Sequence, residues 1–504
     1  MSYLKKSISE KFDFKFLYKI SYIFIFIYLK LESIDENISY INSTHGKSQL
    51  ILRGARFCIK QKNLNSTLWR CVKSNCSASI SISKNNTILR KNENHNHLTD
   101  PSEIKMLELR HKLKQEAQTT SAPIDRIVEI SYSHMITTQT ITNSIVKFPT
   151  LKTLKNTVSK QRRQTRPPLP KSIQDLPAQL PILYTLTKKN SNFLLFNGSL
   201  GGKRGLIFAS IDDIKYLAYQ KFWYADGTFY TSPSIFYQIY SIHAFDEGLS
   251  TPCVYALLAD KSEETYYDLF STLIKNIIEI SNMIKLEYIT IDFEAAVKNV
   301  FYKHYPHIQV KGCLFHYGKA LFRNFVKLNL KTPFQEDESL RNWFRSFAAI
   351  ALLPETDMEE ASQYLRTTKP LLYEKQIDSF LEYHDRTYGI QSSFPPKMYN
   401  HYRNLNPRTI NYLEGRHNKW KKRAIKPHND IYACIDMFKD EQLLVADERQ
   451  RHEAGAPPPK RRRNTRIAEE SLNRLWDKLQ KNQISKETFL KGAGLRYFQY
   501  LKIE

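Results

Sequence analysis

Hydrophobic and polar positions alternate with a period of two through residues 40–97, most plainly in LILRGARFCIK, STLWRCV and ASISISK, with polar turns between them. That alternation predicts short, half-buried strands and a small β module over 40–100. Pro101 breaks the pattern, and Ser102 starts SEIKMLELRHKLKQEA, where Ile104, Leu107 and Leu113 recur among Lys105, Arg110, Lys112 and Lys114. The spacing predicts a helix, and PIDRIVEIS and FPTLKTLKNTVSKQRRQTRPP continue the helical period. A basic helical region over 101–175 results, ending in the linker PPLPKS at 167–172.

Over 205–330 the period changes in an informative order. KFWYADGTFY, IFYQIYSIHAF and CVYALLAD predict three consecutive strands; ETYYDLFSTLIKNIIEI predicts a helix, EYITID a strand, FEAAVKNVFYKH a helix, and IQVKGC a strand before a further helix. Such an order predicts an α/β domain with a mixed sheet. Residues 331–405 read as largely helical, NYLEGRHNKW opens another helix within 406–450, and 451–504 carries AGAPPPKRRRNTR followed by the amphipathic RIAEESLNRLWDKLQ. Near the start, Lys5, Lys6, Lys11, Lys15 and Lys19 precede an apolar run from Ile20 to Leu29. It is too short to span a bilayer and lacks a small-residue cleavage site, so it is expected to be a buried strand or a stretch outside the mature fold.

Composition narrows the partner. The 504 residues are 41% hydrophobic and 12% aromatic, ample for a sizeable core, and 75 Lys and Arg against 50 Asp and Glu give a net charge of +25. A polyanion is the expected partner, with nucleic acid first and an anionic membrane surface as its rival. Cys58, Cys71, Cys76, Cys253, Cys313 and Cys434 are too sparse and irregular for a disulfide framework, which suggests a reducing compartment and leaves thiols free for metal.

Two constellations carry chemistry. The first is Cys71, Cys76, His95 and His97, spaced C-x4-C-x18-H-x-H. Histidines one residue apart on an extended segment share a face, so with the two cysteines they could close a tetrahedral zinc site; two unrelated thiols beside a polar HNH loop is the alternative. Phe57, Leu68, Trp69, Cys71, Cys76, His95 and His97 together resemble the FLYWCH zinc finger, which implies a DNA- or protein-binding module.

The second is a set of acids. Asp226 ends the apolar run in KFWYADGTFY and Asp292 ends EYITID just before a helix; carboxylates at the ends of neighbouring strands suit hard divalent cations with open water positions. Glu414, on the predicted helix RTINYLEGRHNKW, is the best third acid, although each acid taken singly could be a solvated surface group.

The segments ADGTF, FYQIYSIHAF, YALLADKSEETY, ITIDFEAA, KGCLFHYGKALFR and LEGRHNKW, in this order, resemble the transposase domain of Mutator-like elements. The resemblance implies a ribonuclease-H-like fold with an all-helical insertion before the third acid. It also implies a catalytic trio falling on Asp226, Asp292 and Glu414, which would hold Mg²⁺ or Mn²⁺, and a cysteine–histidine pair falling on Cys313 and His316. By spacing alone that pair is equally a buried thiol and a core histidine. Where many relatives read T-N-N-x-x-E-G-W-H, this chain has Ile410 and Arg416. The function implied is a DNA transposase that cleaves and rejoins double-stranded DNA as a homo-oligomer in the nucleus, away from membranes; the alternative is a domesticated, non-catalytic zinc-dependent chromatin protein. Candidate DNA contacts are Arg162, Arg163 and Arg166, then Lys419, Lys421 and Lys422, with Lys460 to Arg463 as a nuclear localisation signal or a further contact.

Overall fold

The period-two pattern of residues 40–97 folds as a meander. In the computed structural model, which describes residues 38–120, 122–137, 149–424 and 427–499, the chain forms two compact units, 1–167 and 168–504. The apolar run at 20–29 lies outside the described residues.

In the first unit, β1 (Ser39–Asn42), β2 (Ser48–Leu52), β3 (Ala55–Lys62), β4 (Ser66–Cys71), β5 (Ser79–Ser83) and β6 (Ile88–Asn92) pair consecutively into a six-stranded antiparallel sheet. LILRGARFCIK, which looked like one β run, is a hairpin: Arg53 (φ 50) and Gly54 (φ 78) turn the chain between β2 and β3. Two successive positive φ angles are the requirement of the tight hairpin turn that matches strand twist. Alternate residues Leu50 and Leu52, Phe57, Trp69 and Cys71, and Ile80 and Ile82 form the buried face. Helices α1 (Pro101–Thr119), α2 (Ile124–Thr137) and α3 (Leu151–Thr165) follow, packed through Leu113, Val128, Leu154 and Val158. Asp100 caps α1 by accepting from the Ser102 amide, with Pro101 at the first helical position, where its missing N–H costs nothing. Glu103 on α1 pairs with Arg56 and, at 2.7 Å, with Lys73, tying the helix to the sheet.

In the second unit, the seven-stranded sheet adds β7 (Leu194–Leu200) and β8 (Lys203–Phe208) to the expected β9 (Phe222–Thr228), β10 (Gln238–Asp246), β11 (Leu249–Leu258), β12 (Tyr288–Ile291) and β13 (Gln309–Gly312). Its order is β13-β12-β9-β10-β11-β8-β7. β12 runs parallel to β9 and β13, and the remaining neighbours are antiparallel, so the sheet is mixed as the element order predicts. One face, through Ile207, Tyr240, Ile242 and Ala256, is covered by α4 (Ile211–Ala218), α5 (Glu263–Ser281), α6 (Ala295–His304) and α7 (Leu314–Lys327). The other, through Leu206, Phe208, Ile239 and Tyr255, is covered by α13 (Asn411–Arg423) and α14 (Ile431–Glu453). Neighbours such as Leu206 and Ile207 enter opposite layers, which explains why these strands are apolar without visible alternation.

In chain order between α7 and α13 come α8 (Lys331–Glu336), α9 (Glu338–Ala348), α10 (Met358–Thr367), α11 (Glu374–Tyr388) and α12 (Pro396–Tyr399), which share the apolar core of the α4–α7 face. The last helices, α15 (Arg463–Gln480) and α16 (Lys486–Tyr497), do not trail away. Leu472, Trp476, Phe489, Leu490 and Phe498 belong to the same apolar core as α9 and α10, and Trp476 Nε1 donates to the Leu352 carbonyl at 2.7 Å. A Cβ on Gly494 would lie 2.7 Å from the Arg345 carbonyl carbon, so α16 approaches α9 backbone to backbone.

Candidate functional site

In the first unit, β4 ends at Cys71, the turn after it presents Cys76, and the segment beyond β6 brings His95 and His97 back to them. The four ligand atoms all lie within 4.8 Å of one another, the one such group of three or more acids, cysteines or histidines among the described residues. Cys71 Sγ is 3.2 Å from His97 Nε2, Cys76 Sγ is 3.5 Å from His95 Nδ1, and the two histidine nitrogens are 3.3 Å apart. Zinc bonds of about 2.3 Å to sulfur and about 2.0–2.1 Å to nitrogen place tetrahedral ligands about 3.3–3.8 Å from each other, so this donor set fits zinc. His97 Nδ1 lies 3.0 Å from the Leu98 carbonyl, a contact that holds its proton there and leaves Nε2 as the donor atom. Burial raises the Cys71 thiol; at Cys76 burial acts the same way but is outweighed by the Ala78 and Asn96 amides, Cys71 and His97, which bring it down to about 6.

In the second unit, the parallel register that sets Thr290 beside Tyr224 brings Asp292, one step beyond β12, to the level of Asp226 near the end of β9. Asp226 is buried, and its Oδ1 accepts from the Gly227 amide at 2.9 Å. A Cβ on Gly227 would meet Gln238 Oε1 at 2.3 Å, so a side chain there would require that buried amide to move. Burial, then the charges of Asp226 and Glu294, push the Asp292 carboxyl up to about 7. Glu294 is raised for the same first reason, and Tyr266 donates to it at 3.0 Å while accepting from Gln238 at 2.8 Å. Crowded carboxylates raised by one another are a donor set suited to a divalent cation.

Glu414 arrives from the opposite layer. The Arg408 carbonyl accepts from the Leu314 amide at 2.8 Å and the Ile410 amide donates to Cys313 Sγ at 3.3 Å, so the segment leading into α13 is fastened to the start of α7. Cys313 and His316 then sit on α7 against α13, and His316 Nε2 lies 3.1 Å from Glu414 Oε1. Burial opposes charge on His316, but its hydrogen bonds with Cys313 and Glu414 prevail and raise it to about 10. One turn beyond Glu414, His417 stands between Asp226 Oδ2, at 3.5 Å, and Ser241 Oγ, at 3.0 Å. Glu414 and His417 share one helix face at a spacing of three.

Residues 222–320 match the MULE transposase domain. The match runs from β9 into α7, taking in Asp226, Asp292, Cys313 and His316, and Glu414 lies beyond it. Residues 40–97 match the FLYWCH zinc finger domain, so the chain carries a FLYWCH finger followed by a MULE domain, in the order expected from sequence. Together the two matches support a transposase-related DNA-binding protein. No curated protein matches the chain. No helix among the described residues is long and apolar enough to cross a membrane.

The basic candidates divide. Arg162 donates to the carbonyls of Thr120 and Ala122, and Arg166 donates to Thr120 at 3.0 Å, so both work inside the helical bundle of the first unit, while Arg163 is exposed. Lys419 pairs with the fully buried Glu441 at 3.2 Å, as does Arg416 at 2.5 Å; Lys421 and Lys422 are exposed. Sequence reasoning missed Glu294 and the placement of His417. Glu294 reads as an ordinary helix N-cap before α6, yet it makes no capping hydrogen bond there. Its signal was the spacing of two from Asp292.

Proposed function

We propose that this chain is a DNA transposase that cuts DNA by metal-dependent hydrolysis at Asp226, Asp292 and Glu414 and transfers the freed 3′-hydroxyl to target DNA. The observation that carries this reading is the placing of Asp226, on β9, and Asp292, just past the end of the parallel β12, at one level of the sheet, with Asp292 pushed to about 7 by burial and its acidic neighbours. Mg²⁺ or Mn²⁺, when bound, would neutralise these acids and lower the pKa of a water. The protein's own part is placement: Gly227 and His417 orient the Asp226 carboxylate, Tyr266 orients Glu294, and His316 holds Glu414. The order β11-β10-β9-β12-β13, antiparallel and then parallel, supports a ribonuclease-H-like sheet with 331–405 as its helical insertion. Arg163, Lys421, Lys422 and, in the basic run at 460–463, the exposed Lys460, Arg462 and Arg463 are free to meet phosphates, the last run also serving nuclear import, and the finger at 40–97, holding zinc, adds further DNA contact. Two element ends held together would require a homo-oligomer.

The test is Mn²⁺-dependent nicking of supercoiled plasmid by the full chain beside Asp226→Asn and Glu414→Gln. Nicking lost in both folded variants supports the reading. Equal nicking by all three proteins sinks it. A non-catalytic DNA-binding role is the second reading, favoured by one observation: among the described residues the cysteine–histidine set is the one group of three or more such side chains gathered as metal ligands. DNA binding without nicking, on any end sequence supplied, would select it.

A further inference from the structure

The loop between β9 and β10 leaves the acid cluster carrying three exposed rings. Phe229, Tyr230 and Tyr237 are 43%, 37% and 48% exposed, the first only three residues past Asp226. Large rings left in water on a strand-end loop are unusual in a chain with ample core to bury them.

These rings are held in place. Phe229 and Tyr237 meet edge to face with centroids 5.3 Å apart, although they lie at opposite ends of the loop. Beneath them Thr231, Ser232, Pro233 and Phe236 are buried. The His428 amide donates to the Tyr230 carbonyl at 2.9 Å, its Nδ1 contacts the Ser232 carbonyl at 3.1 Å, and the Tyr237 amide donates to Leu258 at 2.8 Å. The exposed faces are therefore presented by an anchored loop, with little rotamer freedom left to lose on binding.

Cations are interleaved with the rings. Lys261 Nζ stands 5.5 Å from the Phe229 centroid and Lys421 Nζ 4.7 Å from the Tyr230 centroid. Lys261 is also near enough to Asp292 and Glu294 to favour their charged forms, which places this end of the platform beside the acid cluster. Gln238, the residue after Tyr237, reaches Glu294 through Tyr266. Rings for bases and ammonium groups for phosphates, alternating on one surface, match single-stranded nucleic acid: every base has a face to stack, and the backbone supplies one negative charge per nucleotide.

We propose that Phe229, Tyr230 and Tyr237, with Lys261 and Lys421, form a stacking platform that receives unpaired nucleotides of DNA beside the acid cluster. The occupant's DNA identity rests on the transposase reading above; the stacking chemistry does not. Unpaired nucleotides stacked on the rings would fix the path of their strand, and so the position of its phosphodiester, beside the acids.

The experiment measures binding without added divalent cations, so that cleavage does not enter. The full chain is titrated against a blunt 30-base-pair duplex and against the same duplex with a three-nucleotide single-stranded end carrying 2-aminopurine. The wild type is expected to prefer the unpaired end by about tenfold and to quench its emission, in keeping with stacking on one or two rings. The double variant Phe229→Ala/Tyr237→Ala should lose the preference and the quench while binding the blunt duplex within about twofold. Phe229→Trp should keep both, and Lys261→Gln, which spares the rings, should weaken the preference without abolishing the quench. Preference and quench retained in a folded double variant overturn the platform. So does a loss of preference that accompanies dissociation of an oligomer on size exclusion, which would assign the patch to a second copy, or tighter binding to a single-stranded RNA end. Failure of plasmid nicking with the preference intact sinks the enzymatic reading alone, and nicking without the preference sinks the platform alone.

Discussion

His316 Nε2 on α7 lies 3.1 Å from Glu414 Oε1 on α13, joining helices from opposite faces of the sheet. Glu414 is thereby held by a side chain from the stretch that follows Asp292. His316→Asn is expected to leave the melting temperature within a few degrees but to lower Mn²⁺-dependent nicking by about 10–100-fold, the usual cost of removing the group that orients a ligand. Nicking rates and thermal melts on the same preparation decide it.

The cysteine–histidine set predicts one zinc per chain. Cys76→Ser or His97→Ala should abolish it, and 1,10-phenanthroline should make residues 38–97 of the full chain protease-sensitive while fragments from 168–499 persist. A small β module with so short a core depends on the metal for much of its folding free energy, which in finger peptides amounts to about 10–16 kcal/mol. Native mass spectrometry and a digestion time course report the two effects.

The cysteine–histidine cluster and the neighbourhood of the two strand-end acids were legible because both are tied to local spacing: Cys71 and Cys76 share a turn, and Asp226 and Asp292 each close an apolar run. The mixed sheet followed from element order. β7 escaped notice because LLFNGSL carries Asn197 and Gly198 at an edge where Arg204 on β8 pairs with Asn197 at 3.0 Å, and such a strand lacks an apolar period. The ties that place Glu414 were invisible for another reason. Leu314 to Arg408, Cys313 to Ile410 and His316 to Glu414 all span about a hundred residues, and no local pattern encodes a contact of that separation.

Arg416, standing where many relatives carry tryptophan, is matched by Glu441, which is fully buried and is also faced by Lys419 at 3.2 Å and Arg423 at 3.7 Å. Burial would raise the Glu441 carboxyl, and Arg416 then Lys419 bring it below the usual range. Glu441→Gln takes the buried carboxylate from Arg416, which keeps Glu448 at 3.2 Å and the Ser250 carbonyl at 3.3 Å, so urea unfolding should show a loss of about 2 kcal/mol. Arg416→Trp alone should be as harmful, since it leaves the buried carboxylate with only half-exposed lysine and arginine partners.

Buried His401, with its Nε2 2.8 Å from the Gly312 carbonyl, is pushed down to about 3 by burial, with Lys311 and Arg408 acting in the same direction against that carbonyl. An unfolded histidine titrates near 6.5, so between about pH 6.5 and 3 the unfolded chain binds the extra proton. The stabilisation is whole above 6.5 and is lost as pH falls, by up to about 5 kcal/mol. His243 and His384, also lowered by burial, act with the same sign. Chemical denaturation from pH 7.5 to 4.5 should show this decline, shallower in His401→Gln.

Gly494→Ala tests the seam between α16 and α9. The added methyl would meet the backbone of Arg345 and Ser346 at 2.7–2.9 Å, and neither can move without disturbing α9. A loss of about 2 kcal/mol is expected from overpacking, measured as a lower urea midpoint with an unchanged slope.

That seam also sets a timetable. Trp476, Phe489, Leu490 and Phe498 fill a core whose other walls are built from residues beginning at Leu200, so the largest apolar cluster of the second unit stays open until Phe498 has left the ribosome. A nascent chain emerging at about 5–20 residues per second exposes that half-built wall for many seconds. The strands bearing Asp226 and Asp292 are synthesised long before the helices that close over their layer. The second unit thus completes its core only once α16 has emerged, and a chain halted by a premature stop codon before α16 would be a substrate for chaperones and proteases.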